Sequence, residues 1–259
     1  MKLTFLGTGT SFGVPQLGCG CAVCQSSDPR DRRTRVGAVV ATDDGRTILI
    51  DTPPELRTQL LGAGISDVDA VLFTHDHADH THGIDDIRAI SARRQEHMPM
   101  FGSAATMRAL ARKFDYIFDD EMKALPGTLK PQGRAVIMAP WETASVAGVD
   151  VTAVPVPHGP VATVYAYRIG RLAYVTDAKT VPDAALAVLR GADVLVVNAL
   201  FRRPHPSHLS LEEAIAVSAS VGASRTYLTH LTHDNFHATL AAELPAGIEP
   251  AFDGLVVSL

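Results

Sequence analysis

The chain has 259 residues, of which 46% are hydrophobic and 20% are charged, and its formal net charge is −5. A chain of this length and composition can bury a large core without dividing, so we expect one domain over residues 1–259. The acidic balance argues against a nucleic-acid polymer as partner, because non-specific binding to phosphates requires a basic surface. Small anionic substrates stay open, since bound cations would set the local field.

The sequence predicts a cytoplasmic protein without a membrane partner. Residues 1–7 lack the basic segment, long apolar run and cleavage site of a signal peptide, and no apolar stretch is long enough to span a bilayer. Cys19, Cys21 and Cys24 lie too close together for an ordinary disulfide framework. In a reducing compartment, such a cluster is better explained by a bound metal.

The first predicted elements are a strand, a glycine-rich loop and a hairpin. A strand over residues 2–6 runs into a loop over 7–11, which is either a tight turn or a set of N–H groups that binds an anion. Residues 36–41 and 47–50 form a hairpin whose second arm ends at Asp51. A helical pattern follows over residues 54–61.

A histidine-rich motif, THDHADH at residues 74–80, follows a buried strand predicted over 69–73. Three imidazoles and two carboxylates make a poor core but a good set of metal ligands. The alternative is a polar loop whose histidines bind nearby carbonyls, but so many ligands on one turn would be costly to desolvate without a cation. The motif therefore predicts half of a two-metal site.

The rest of the chain alternates helices with strands that end in polar residues. A helix is predicted over 83–94, and an aromatic cluster at 114–118 is either core or the wall of a substrate pocket. Ser210 and Glu213 form a capping box for a helix through Val221. Later strands are predicted over 135–138, 149–156, 163–169, 172–176, 194–197 and 225–228, and four of them lead to His158, Asp177, Asn198 and His230.

In this order, these motifs resemble the metallo-β-lactamase superfamily of binuclear metallohydrolases, and the resemblance covers nearly the whole chain. It implies an α/β metallo-β-lactamase fold, a four-layer αββα sandwich. It also implies that one metal is bound by His75, His77 and His158, that the other is bound by Asp79, His80 and His230, and that Asp177 bridges the two. The ligand types suit Zn²⁺ or Mn²⁺.

The cysteine cluster resembles that of the phosphoribosyl 1,2-cyclic phosphate phosphodiesterases of bacterial phosphonate degradation. There, three such cysteines and a histidine near the last ligand hold a structural zinc; here the histidine would be His233. Such a Cys₃His set leaves no open coordination position, as structural zinc requires. The alternative is a group of free redox thiols.

The same resemblance implies that His208, Asp79 and Asp177 are the catalytic residues. A histidine about this far before the last ligand acts at the leaving group in those phosphodiesterases, and His208 occupies the matching place. The position of its aspartate partner matches Asn198, an amide that could orient an imidazole without stabilising its charge. His237 either lines the pocket or begins a helix.

The function expected on this resemblance is hydrolysis of phosphoribosyl 1,2-cyclic phosphate or a 2′,3′-cyclic nucleotide by a metal-bridged hydroxide. The substrate partner is then a small phosphorylated ribose or nucleotide, held with two active-site metals and one structural zinc. The alternatives are a hydrolase similar to the transfer-RNA 3′-processing endonuclease and a non-catalytic metal-binding relative acting in coenzyme biosynthesis. Relatives with this fold are often dimers, so a homodimer is one option.

Overall fold

Two β-sheets form the centre of the computed structural model, which describes residues 1–160 and 162–259. The first sheet contains, in spatial order, β14 (Val256–Ser258), β1 (Lys2–Gly7), β2 (Gly37–Ala41), β3 (Thr47–Ile50), β4 (Ala70–Leu72), β5 (Met98–Gly102) and β6 (Gly133–Ile137). The second contains β13 (Ile248–Pro250), β12 (Arg225–Thr229), β11 (Val194–Asn198), β10 (Leu172–Val175), β9 (Ala162–Ile169), β8 (Val149–His158) and β7 (Thr143–Val146).

Helices cover the outer faces of the two sheets. Those that precede β6 are α1 (Leu56–Gly62), α2 (Ala78–Thr81), α3 (Arg88–Arg94), α4 (Ala104–Lys113) and α5 (Asp115–Phe118). Those that follow β10 are α6 (Asp183–Leu189), α7 (Leu211–Val221) and α8 (His237–Glu243). None of the helices in the described part of the chain is long and apolar enough to cross a membrane.

Three layers of apolar side chains hold these elements together. The inner layer lies between the sheets and includes Ile48 and Tyr167, both completely buried. One outer layer joins the first sheet to α1, α3 and α4, and the other joins the second sheet to α6, α7 and α8. The two sheets bury one face against each other, and each buries its other face against the apolar side of its helices. This arrangement has four layers of secondary structure. The predicted four-layer αββα fold is therefore confirmed.

Strand direction determines where the polar strand ends meet. β3, β4 and β5 are parallel in the first sheet, and β10, β11 and β12 are parallel in the second. β8 runs in the direction of β10, because both are antiparallel to β9. The carboxyl ends of these strands open on one edge of the sandwich, where ligands bind in open α/β sheets.

Most of the predicted helices and strands are present, and the structure differs from the prediction in the segment over 83–94. The hairpin of β2 and β3 and the capping box of α7 are confirmed. The helix predicted over 83–94 is a 3₁₀ turn, Ile84–Ile87, followed by α3. The aromatic cluster lies in the core: Ile117 is completely buried, and its aromatic neighbours pack against the same apolar layer.

Gly83 ends the histidine-rich segment in close contact with the loop that follows β3. A Cβ atom added there would lie 2.0 Å from the Pro53 carbonyl oxygen and 2.9 Å from the Leu56 Cβ. We expect Gly83→Ala to lower the free energy of unfolding by about 2 kcal/mol or more, because backbone must move to remove the overlap. Thermal unfolding should show this as a fall in Tm of roughly 4–8 °C.

Gly62→Ala is the matched control, since a Cβ atom at Gly62 meets nothing within 4 Å and the residue lies in α1. Its Tm should stay unchanged or rise slightly, because alanine favours helix over glycine. Equal Tm values for the two variants would contradict the close packing at Gly83.

Candidate metal centre

Three site residues adopt the left-handed backbone conformation where a strand ends. The φ angles are +62° at Asp51 after β3, +57° at Asp177 after β10 and +57° at His230 after β12. Non-glycine residues rarely adopt this conformation, and its cost is met by the surrounding structure. At these points the chain turns out of the sheet and directs polar side chains into the cleft.

The structure groups the seven predicted ligand side chains at this edge. Potential ligand atoms of His75, His77 and His158 lie within 4.8 Å of one another, and those of Asp79, His80 and His230 form a second such group. These are the two ligand sets that the resemblance implies. His77 is exposed, whereas the other imidazoles are buried, so the first group faces solvent on one side.

Asp177 lies between the two groups and directs one oxygen toward each. Its Oδ1 is 3.4 Å from His80 Nε2 and 3.5 Å from His230 Nε2. Its Oδ2 is 3.8 Å from His75 Nε2 and 3.0 Å from His208 Nε2. A carboxylate in this position can bridge two cations.

The charges of the cluster favour bound cations. Burial lowers the pKa of His75, His77 and His158, so their nitrogen lone pairs are free. Burial opposes ionisation of Asp177, but the nearby His230 and His80 hold its pKa well below the usual range. Asp177 and Asp51 raise the pKa of His80 against the effect of burial, so positive charge is favoured at its imidazole.

Several buried imidazole nitrogens have no hydrogen-bond partner in the described structure: the Nε2 atoms of His75, His80 and His230. An unsatisfied buried polar atom is costly, and metal coordination would satisfy all three. The donor set of imidazoles and carboxylates fits divalent zinc or manganese. The role of the seven residues as ligands stays a prediction, and the residues present fit it.

A hydrogen-bond network behind the histidines fixes their orientation. Asp51 Oδ2 lies 2.7 Å from His80 Nδ1 and accepts a hydrogen bond of 2.8 Å from the Thr74 hydroxyl. The same hydroxyl lies 3.0 Å from His75 Nδ1. Because Nδ1 of each ring is engaged, Nε2 faces the cleft. Asp51 and Thr74 are not among the predicted site residues; the polar end of β3 is the sequence signal for Asp51.

Ser207 contacts two histidines of the site. Its carbonyl oxygen lies 2.9 Å from His158 Nδ1, and its Oγ lies 2.9 Å from His208 Nδ1. His208 therefore presents Nε2 to Asp177. Burial lowers the pKa of its imidazole, while the hydrogen bond to the Asp177 carboxylate opposes this and favours the protonated ring. This places His208 beside the two metal groups, where it could act on a substrate.

The proposed orientation of His208 by Asn198 is wrong. The Asn198 side chain is completely buried, accepts a hydrogen bond of 2.8 Å from the Ala178 N–H and donates one of 3.1 Å to the Ala178 carbonyl. A buried amide must satisfy both its donor and its acceptor, and the peptide groups of Ala178 do so. Asn198 thereby holds the backbone that follows Asp177.

The structure also places two further polar candidates. His237 begins α8, which is one of the two roles expected from the sequence, and its backbone N–H donates to Asp31 Oδ1 over 2.6 Å. In the loop over 7–11, two backbone N–H groups already have protein partners. The Gly9 N–H donates to the Thr34 carbonyl, and the Thr10 N–H donates to the Leu231 carbonyl. This favours a structural turn over an anion site.

The cysteine cluster forms a second group of potential ligands. The Sγ atoms of Cys19, Cys21 and Cys24 lie 3.3, 3.7 and 3.4 Å from His233 Nδ1, and all three cysteines are free. Three sulfur atoms and one imidazole nitrogen converging at one point fit a tetrahedral zinc. Burial raises the pKa of Cys24 to about 11, so a cation is needed to hold its thiolate at neutral pH.

A buried ion pair between Arg33 and Asp31 binds the segment that follows His230. Arg33 Nη2 lies 3.4 Å from Asp31 Oδ1 and donates to the Asn235 carbonyl over 3.2 Å, and Nη1 donates to the Thr232 carbonyl over 3.3 Å. Both charged side chains are almost completely buried. Arg33 thus fixes the backbone on both sides of His233.

Comparison with known proteins gives a consistent result. A family model described as a beta-lactamase superfamily domain matches residues 46–231. A solved structure of a diphosphatase from the PhnP family is 41% identical, covers 99% of this chain and 96% of its own, and has a TM-score of 0.90. Zn²⁺-bound PqqB from Methylobacterium extorquens is 21% identical, covers 100% of both chains and has a TM-score of 0.78.

A relative in Porphyromonas gingivalis, named octanoyltransferase, is 36% identical over 260 residues that cover 98% of this chain. The chain spans only about half of that relative, 51% of its length. That relative is therefore about twice as long as the region that matches this chain, and its name refers to the whole protein.

The contact between Asp51 and His80 predicts an effect on metal affinity. Asp51→Asn removes the charge that fixes the ring, and we expect metal to bind the active site about 10- to 100-fold more weakly. Competition with a chromophoric chelator measures this affinity. Asp69→Asn is the control, because Asp69 lies before β4, at the opposite end of the strand from the site. Wild-type affinity in Asp51→Asn would contradict the role of this contact.

Removal of one sulfur ligand tests the cysteine cluster. We expect Cys21→Ala to lose one zinc per chain and at least about 3 kcal/mol of stability, because structural zinc contributes folding free energy. This corresponds to a Tm lower by roughly 6–12 °C. Elemental analysis and thermal unfolding provide the two measurements. Gln25→Ala, at an exposed neighbour, should change neither, and an unchanged Tm in Cys21→Ala would show that the cluster is not structural.

Proposed function

Because the chain belongs to the metallo-β-lactamase superfamily, we propose that this hydrolase is a binuclear metal-dependent phosphodiesterase that opens a small cyclic ribose phosphate. The observation that carries the proposal is the position of Asp177 between two groups of ligands, with His208 at 3.0 Å from the same carboxylate. In the hydrolysis of a phosphodiester, two cations activate water and neutralise the phosphate, and an adjacent proton donor assists the leaving group.

The side chains have separate roles in this proposal. His75, His77 and His158 would hold one cation, Asp79, His80 and His230 would hold the other, and Asp177 would contact both. Two divalent cations, when bound, lower the pKa of water and neutralise the charge of a phosphate. Asp51 and Thr74 keep the imidazoles oriented, which limits the reorganisation needed when the substrate arrives.

His208 would protonate the leaving oxygen of the ribose. Its Nε2 faces the site, and its Nδ1 is engaged by the Ser207 hydroxyl. A departing alkoxide is a strong base, so a donor within hydrogen-bond distance stabilises the transition state. Water adds to phosphorus and one ribose P–O bond breaks. The released ribose oxygen keeps this proton as a hydroxyl, and the phosphate stays on the ribose as a monoester.

A second candidate substrate is a linear diphosphate. It is favoured by the relative at 41% identity, which is called a diphosphatase. Both substrates require charge neutralisation at phosphorus, but a phosphate leaving group needs less help from a proton donor than a ribose alkoxide. The contribution of His208 therefore separates the two candidates.

A transfer-RNA endonuclease and a non-catalytic role in coenzyme biosynthesis have less support. The net charge of −5 argues against a transfer-RNA substrate. A non-catalytic role requires an incomplete or inaccessible metal site, whereas all seven predicted side chains lie together here and His77 is exposed. The similarity to PqqB, at 21% identity, shows a common fold.

His208→Gln tests the mechanism. With zinc or manganese supplied, we expect wild-type protein to open 2′,3′-cyclic AMP, and the variant to lose about 10²- to 10⁴-fold in kcat while its metal content stays constant. His97→Gln is the control, because His97 is exposed and pairs with Asp120 away from the cleft. Turnover of ADP but of no diester would favour the diphosphate candidate, and loss of metal in His208→Gln would contradict the assignment of His208 as acid.

A further inference from the structure

Three side chains of one loop, His205, Ser207 and His208, form a line of hydrogen-bonding contacts that ends at the metal centre. Ser207 Oγ lies 3.2 Å from His205 Nδ1 and 2.9 Å from His208 Nδ1. On the other side of its ring, His208 Nε2 lies 3.0 Å from Asp177 Oδ2. The imidazole proposed as proton donor is therefore held, through a hydroxyl, by a second imidazole.

The backbone of the loop fixes where the Ser207 hydroxyl lies. The Ser207 carbonyl oxygen is 2.9 Å from His158 Nδ1, and a Cβ atom added at Gly159 would lie 3.2 Å from the Ser207 Cβ. Two residues further on, the Leu209 N–H donates to the Ala178 carbonyl over 2.8 Å. The loop is thus held against the end of β8 and against the turn that follows β10.

The direction of each hydrogen bond follows from a backbone donor. The Ser207 N–H, which can only donate, lies 3.4 Å from His205 Nδ1. This nitrogen therefore carries a lone pair, and the Ser207 hydroxyl must donate to it rather than accept from it. A hydroxyl has a single hydrogen. With that hydrogen directed at His205, Ser207 Oγ can only accept from His208 Nδ1, so Nδ1 of His208 carries a hydrogen.

The surroundings of His205 favour a neutral acceptor. Its ring packs against the Phe201 ring at 5.6 Å between centroids, and the Arg203 guanidinium lies 4.4 Å from the Phe201 centroid. Burial and the positive charge of Arg203 lower the pKa of the His205 imidazole. A neutral ring with a lone pair on Nδ1 is the acceptor that the Ser207 hydroxyl requires.

We infer that His205 and Ser207 are positioning residues for His208: together they fix the hydrogen on its Nδ1 and leave Nε2 as the atom that reacts. This inference rests on the proposed phosphodiesterase function. In that reaction the Nε2 hydrogen passes to the ribose oxygen as its P–O bond breaks, while the Nδ1 hydrogen stays donated to Ser207 Oγ. The same contacts satisfy His208 before and after the transfer, so no hydrogen bond behind the ring has to rearrange.

The kinetic test compares two diesters that differ in their need for a proton donor. 2′,3′-Cyclic AMP releases a ribose alkoxide, which is a strong base, whereas bis(p-nitrophenyl) phosphate releases a weakly basic nitrophenolate that leaves without protonation. In zinc-loaded protein we expect Ser207→Ala to lower kcat for the cyclic nucleotide by roughly 5- to 100-fold, because a donor of His208 loses its acceptor. His205→Ala should lower it by roughly 2- to 10-fold, the effect of losing one neutral hydrogen bond. Metal content, and kcat for the nitrophenyl diester, should stay unchanged.

Two further variants separate positioning of His208 from general support of the loop. His205→Asn places an amide oxygen where it can accept from the Ser207 hydroxyl, so it should restore most of the kcat that His205→Ala loses. In a His208→Gln background, His205→Ala should have no further effect, because the group that it positions is gone. His97→Ala is the matched control, since His97 is exposed and pairs with Asp120, and it should behave like wild type with both diesters.

The hydrogen on His208 Nδ1 can be observed without turnover. Long-range proton–nitrogen NMR correlation of zinc-loaded, histidine-labelled protein reports which ring nitrogen carries a hydrogen, and the spectrum of His208→Gln identifies the signals. We expect a hydrogen on Nδ1 in the wild type and a mixture of protonation forms in Ser207→Ala and His205→Ala. A wild-type His208 ring without a hydrogen on Nδ1 would overturn the inference.

The outcomes separate this inference from the proposed function. If His205→Ala and Ser207→Ala lower kcat equally for both diesters, or for neither, the positioning role is wrong and the phosphodiesterase function stands. If wild-type protein opens no cyclic ribose phosphate, the proposed function fails, and the NMR spectra still decide whether His205 and Ser207 fix the hydrogen on His208.

Discussion

Buried negative charge is the constraint on which this structure depends. Asp177 is 2% exposed and Asp51 is completely buried, and neither has a lysine or arginine beside it in the described part of the chain. Desolvating a carboxylate costs several kcal/mol unless cations or hydrogen-bond donors compensate. Here the compensation comes from imidazoles, which are neutral when they bind a metal. Divalent cations bound as proposed would therefore complete the charge balance of the centre.

The architecture supplies what this constraint requires. Parallel strands in both sheets end at one edge, and the left-handed turns at Asp51, Asp177 and His230 direct their side chains inward. Each left-handed turn costs conformational energy, and packing in the apolar layers on both sides of the sheets compensates this cost. Rigid strands on two sheets hold the ligands more firmly than a single long loop would, so little reorganisation is needed on cation binding.

Local patterns in the sequence predicted the individual elements and a metal site, whereas the fold and the two ligand groups were implied by the family resemblance. The THDHADH motif, the polar strand ends and the capping box of α7 are all short-range signals, and the structure shows the corresponding elements. The supporting contacts were not predictable in this way. Asp51 reaches His80 across 29 positions, and Arg33 reaches Asn235 across 202. Such partners become neighbours only through the topology.

Asn198 illustrates the same limit for a single side chain. Its match to the aspartate partner of the resembling phosphodiesterases implied a role toward His208, but the structure gives its amide other partners. At the end of β11, the buried amide satisfies the N–H and carbonyl groups of Ala178, which follows β10 and Asp177. Sequence position identified a polar group near the site; only the packing showed which atoms it binds.

The distance along the chain between the cysteines and His233 has a consequence for biosynthesis. Cys24 and His233 are separated by 209 positions, which a ribosome covers in roughly 10–40 s at 5–20 residues per second. During that time the three thiols have been made but their fourth partner has not. A chain at this stage cannot complete the predicted Cys₃His site, and its cysteines are open to oxidation or to capture by other metals. A zinc bound there, as predicted, would reach full coordination only after both ends of the chain have come together.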